Sequence, residues 1–82
     1  DYLHEVCPSQ LVLGRALLER GQLDEAEEAF RRADAAAEQM ASISHRAEAW
    51  VALGDLAARR GDDRGAARLY RNAAEALQEI RF

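Results

Sequence analysis

Apolar residues return every third or fourth position along most of this 82-residue chain, the period of a helix that buries one face. Leu11, Leu13, Gly14, Leu17 and Leu18 form the first stripe, and Gly21 follows as a residue suited to ending a helix in the left-handed conformation. The spacing predicts a helix over 8–20, with some helical structure before it. Pro8 would then stand at the first position, where a missing N–H is harmless. Leu23, Ala26, Phe30, Ala33, Ala37 and Met40 predict a second helix over 24–40. Asp24 is its expected cap, with Glu27 completing a variant of the capping box. Ile43, Ala47, Trp50, Leu53, Gly54 and Ala57 predict a third over 43–60, capped by Ser42 or Ser44 and stopped at Gly61. Ala66, Tyr70, Ala73, Leu77 and Ile80, widened by Leu69 and Ala76, predict a fourth over 63–80, entered through Gly61-Asp62-Asp63 with an aspartate as cap. No stretch alternates as a strand would. The expected fold is all-α, four helices in two antiparallel pairs with short turns.

The two pairs are copies. Leu13-Gly14-x-x-Leu17, Arg20-Gly21 and Ala26-x-x-x-Phe30-x-x-Ala33 recur about 40 residues later. The later copy reads Trp50-x-x-Leu53-Gly54-x-x-Ala57, Arg60-Gly61 and Ala66-x-x-x-Tyr70-x-x-Ala73. A glycine inside a helix costs about 1 kcal/mol against alanine. Its recurrence at Gly14 and Gly54 predicts that the paired helix crosses closely there. Ala26 and Ala66 would face the glycines, Phe30 and Tyr70 would fill the remaining space, and Trp50 would plug the gap between pairs.

These motifs resemble the tetratricopeptide repeat, whose signature is W-x2-L-G-x2-Y…A-x3-F…P. Trp50, Leu53, Gly54, Ala66, Tyr70 and Ala73 match it in the second copy, and Leu13, Gly14, Ala26, Phe30 and Ala33 in the first. The likeness runs over residues 8–80, as one domain of two repeats (8–41 and 43–82) or a piece of a longer array. It implies a short right-handed α-solenoid. The chain departs from the pattern in four ways. Its period exceeds the family's, which is about 34. Gln10 stands where the first tryptophan would be, Ala57 replaces the tyrosine, and neither copy ends in proline. Repeats this long resemble those in regulatory regions of bacterial transcription regulators and in cargo adaptors.

The resemblance implies a non-enzymatic protein–protein interaction module that binds peptides along the concave surface of the first helix of each pair. The second class of work it implies is a sensor domain, recognising a peptide or small ligand beside a DNA-binding segment. The groove positions are Leu11, Arg15, Leu18, Glu48, Val51, Asp55 and Arg59, with Ala52 beside them. Of the family's carboxylate-clamp positions only Arg15 carries suitable chemistry, so that clamp is absent. The 40-residue shift sets Arg15 beside Asp55 and Glu19 beside Arg59, and both pairs are expected to neutralise across the groove, contributing at most about 1 kcal/mol each.

Charge and chemistry narrow the reading further. Residues 1–41 carry nine acids against four arginines, and residues 42–82 seven arginines against six acids, for a net charge of −4. A net acidic chain lacks the basic footprint of nucleic-acid binding. Asp24, Glu25, Glu27 and Glu28 suit the positive end of a helix dipole, and Glu27–Arg31 and Glu28–Arg32 make favourable i,i+4 pairs. They also form an acidic run that a partner could dock on. One cysteine excludes a disulfide within the chain and suits a cytoplasmic setting; no apolar run approaches a membrane span. His4 and Cys7 would share a helix face with His45 nearby, but beyond Glu5 or Glu48 no firm fourth zinc ligand stands in reach. Ser9, Ser42 and Ser44 lie near helix starts, with no strand-turn elbow or glycine-rich phosphate loop. No metal or cofactor is expected.

A two-repeat stack leaves apolar end faces open, where about three repeats are usually needed for stability. Leu69, Ala76 and Phe82 exceed what the last pair needs. Further repeats would cover them, which suits a chain that opens on Asp1 rather than Met. Self-association through the end helices is the other remedy.

Overall fold

The computed structural model describes residues 2–80, with side chains as far as 78. Four helices follow one another: α1 (Tyr2–Glu19), α2 (Leu23–Gln39), α3 (Ile43–Arg59) and α4 (Asp63–Ile80). α1 packs antiparallel on α2 and α3 on α4, α2 joins the two pairs by packing on α3, and α1 touches α3 lightly. The slab measures 35 × 29 × 14 Å, its least dimension matching two helix layers about 9 Å apart. α1 and α3 share one layer, and α2 and α4 the other. The fold is an all-α stack of two repeated helical pairs.

Helix bounds fall within two residues of expectation except at one place. α1 begins at Tyr2, and Pro8 lies inside it. Proline withholds one N–H, from the carbonyl of His4, and its ring crowds that carbonyl. Burial outweighs the loss: Cys7 is fully buried among Ala33, Ala36, Ala37 and Ala49, with Leu3, Val6 and Leu11 packed around them.

Three turns of one design link the helices. In each, the second residue past the helix takes a positive φ and two backbone N–H groups return to the last turn, as in Gly21 N to Leu18 O and Gln22 N to Leu17 O. Glycine holds the left-handed position at Gly21 (φ 79°) and Gly61 (φ 83°), as the sequence predicts. Ala41 holds it between the pairs, at φ 55°. Ser42 caps α3 by accepting the His45 N–H, and Asp62 caps α4 by accepting the Gly65 N–H at 2.9 Å. Asp24 does not cap α2. Its N-cap is Gln22, whose side chain makes no bond, and Asp24 lies one residue inside the helix.

The core is two clusters built largely from alanine. One centres on Cys7 and α2's C-terminal alanines, the other on Leu18, Ala26, Phe30, Ala52 and Leu56. Gly14 and Gly54 do sit at close crossings, but aromatic rings rather than alanines face them: Phe30 covers Gly14 and Tyr70 covers Gly54. Ala26, Ala66 and Ala73 are buried as expected. Leu13 is 46% exposed where its counterpart Leu53 packs on the second cluster, because no earlier helix covers α1. Tyr70 is 38% and Leu77 44% exposed, since α4 is covered by α3 alone. Ile80 and Phe82, expected to add to α4's apolar side, lie outside the described side chains.

Candidate functional site

The open side of the α1–α3 layer carries two concavities that meet at Arg15. The first, about 500 Å³, has Leu11, Ala47 and Val51 as its apolar floor, Ser44 and Glu48 on its rim, and Leu77 of α4 closing one side. The second, about 410 Å³, is lined by Leu18, Glu19, Asp55, Ala58, Arg59 and Tyr70. All seven groove positions read from the sequence fall on these walls. Leu18 does so as a buried core residue with only 6% exposure, and Ala52 is fully buried and belongs to the core alone.

Asp55 fixes the ridge between the concavities. Arg15 Nη1 donates to its Oδ2 and the Tyr70 hydroxyl donates to its Oδ1, each at 2.5 Å. Burial alone would raise the Asp55 pKa, but the two donors and the arginine charge outweigh it and hold the carboxyl below its ordinary value. The same contact raises the Tyr70 phenol. Arg15 also lies 5.8 Å from the Phe30 ring centre. The expected Arg15–Asp55 pair therefore forms, with a tyrosine in it that the sequence reading did not include. The expected Glu19–Arg59 pair does not: both residues line the second concavity, and no ion pair joins them.

A second polar seam joins α2 to α3. Arg46 donates from Nε to Asp34 at 2.9 Å, reaches Glu38 at 3.6 Å, and lies over Trp50 at 4.9 Å. Arg60 donates to Asp24 at 2.6 Å and to Glu27 at 2.7 Å. Hydrogen bonds from Arg60 and then Arg31 pull the Glu27 carboxyl below its ordinary value. Trp50 is half-buried and borders a further cavity of about 380 Å³ that reaches from α2 to Leu69 of α4. The acids Asp24, Glu27, Asp34 and Glu38 form a helical stripe, a signal in the sequence for this seam that the capping and dipole reading passed over. The i,i+4 pairs stand at 2.6 Å for Glu27–Arg31 and 3.8 Å for Glu28–Arg32.

Cys7 is buried, and desolvation, then the charges of Glu48 and Asp34, raise its thiol pKa. The His45 ring lies against the Ser42 hydroxyl at 2.5 Å. Among the described residues no three His, Cys, Asp or Glu side chains gather as a metal site, and no helix is long and apolar enough to cross a membrane. Comparison of the chain with known protein families, characterised proteins and solved structures finds no match.

Proposed function

We propose that this chain is a protein–protein interaction module of tetratricopeptide type, with no catalytic activity, that holds a peptide segment on the α1–α3 face. The observation that carries the reading is the apolar concavity of about 500 Å³ over Leu11, Ala47 and Val51, bounded by Arg15 and Glu48. Asp55 and Tyr70 immobilise Arg15, so its guanidinium is a fixed rim and not a free clamp for a carboxylate. Specificity then rests on apolar side chains entering the floor. A cytoplasmic setting suits the lone, buried thiol.

The test is a phage-displayed random peptide library panned on the whole chain. Enrichment of a consensus with an apolar anchor is expected, and Val51→Asp should weaken the selected peptide at least about tenfold with the helical circular dichroism unchanged. Failure to enrich any consensus, or peptides indifferent to Val51→Asp and to Glu48→Arg, would refute the reading. A thermal shift with small molecules but none with peptides favours the sensor class.

A further inference from the structure

Repeat 2 is covered where repeat 1 is bare. The first pair closes over Ala49, Ala52 and Leu56 of α3, leaving them 0, 0 and 2% exposed. Forty residues earlier the same register positions are Ser9, Val12 and Ala16, all exposed, Val12 at 71%. The pairs share their glycine–aromatic contact and their turn hydrogen bonds, so the correspondence is structural as well as sequential. The α2–α3 junction is therefore an internal template for whatever covers α1.

That template carries a charge requirement. Arg60, just past α3, takes Asp24 and Glu27 from the first turns of α2. Its counterpart Arg20, just past α1, is exposed and makes no ion pair among the described residues. We propose that the outer face of α1 seats a partner helix of α2's kind: small apolar residues at helical spacing pack on Ser9, Val12, Leu13 and Ala16, and two early carboxylates reach Arg20. A second copy of this chain does not meet the requirement. The helix it offers is α4, where Arg64 and Ala67 replace Asp24 and Glu27, so stacking copies end to end sets Arg64 against Arg20. This face lies apart from the peptide groove, so either proposal can fail alone.

The probe is a synthetic helix of residues 22–40, stapled across positions 28 and 32, which point to solvent. It is titrated into the isotope-labelled full chain and followed by amide chemical shifts. Saturable shifts centred on Ser9, Val12, Leu13 and Ala16 are expected. Arg20→Glu in the chain should weaken binding roughly fivefold. A probe with Asp24→Arg and Glu27→Arg should weaken binding at least as much. Absence of saturable shifts overturns the proposal, as does equal affinity for the Arg20→Glu chain. Shifts centred on the α1 and α3 faces that hold the resident α2 also overturn it, since they mean exchange of that helix. So does a chain that dimerises without the probe and becomes monomeric on Val12→Asp, because that assigns the face to a second copy.

Discussion

The ring of Tyr70 lies so close over Gly54 that a β-carbon there would sit 2.6 Å from its Cε1. Phe30 stands in the same relation to Gly14, closer still, but the two rings differ in freedom. Phe30 is fully buried, whereas Tyr70 keeps 38% of its surface exposed and can swing outward by releasing Asp55. Gly14→Ala should therefore destabilise the chain by about 1–3 kcal/mol through overpacking, after the helix gains about 1 kcal/mol from alanine. Gly54→Ala should be nearly neutral. Urea denaturation of the two variants separates them, and equal losses would mean that both rings are equally confined.

Acid should unfold the chain through Asp55 and Glu27. Both carboxyls are held below their ordinary values of 3.8 and 4.5 in the folded state. A depressed folded pKa adds stability that is complete above the unfolded value and is lost as pH falls through the folded one. Denaturation midpoints should thus be level from about pH 7 to 5 and fall below about pH 4. Asp55→Asn and Glu27→Gln should each lower the neutral plateau and flatten the acid slope. An unchanged slope in the double variant would show that other groups govern acid unfolding.

What sequence could reveal tracks how local the physics is. The Gly21 and Gly61 turns, a serine cap on α3, an aspartate cap on α4 and the close crossings at Gly14 and Gly54 depend on neighbours in sequence or on a repeated register, and were legible. Which serine and which aspartate cap, and that rings rather than alanines face the glycines, needed the packing. The start of α1 was not, because the rule against proline inside a helix is local while the burial of Cys7 that overrides it is tertiary. Asp24 reads as a cap until Arg60, 36 residues away, is known to hold it. Arg15–Asp55 followed from the repeat shift alone. Glu19–Arg59 follows from the same shift and fails, since register brings residues to the same level without setting the gap between helices. The groove positions were legible as places on α1 and α3; Leu77 and Tyr70, which wall that groove from α4, needed the packing.

Ala41 occupies at φ 55° the position that glycine holds in the other two turns. A left-handed conformation strains an L-residue by roughly 1–2 kcal/mol, and glycine escapes that strain at some loss of unfolded-state entropy. Ala41→Gly should therefore raise stability by about 0.5–1 kcal/mol. Ala41→Val, with its branched β-carbon, should lower it. Thermal melts of both variants check the sign, and a destabilised glycine variant would contradict the turn geometry.

Gln10 sits where the second repeat places Trp50, and its Oε1 is out of solvent with no hydrogen-bond partner. An unmet buried acceptor costs about 1–3 kcal/mol, and the penalty disappears when the polar group is replaced by an apolar one of the same shape. Methionine matches glutamine in length and adapts to irregular space. Gln10→Met should therefore stabilise the chain by about 1 kcal/mol, while Gln10→Ala, which removes the acceptor but also the packing stem, should gain less or lose. Gln10→Glu separates polarity from shape: it keeps the shape and adds charge to a site without a donor, so it should destabilise at neutral pH and recover as the carboxyl protonates in acid. Urea midpoints for the three variants at about pH 7 and pH 4 test the ordering. Methionine below wild type would mean that the amide nitrogen of Gln10 contributes more than its stranded oxygen costs.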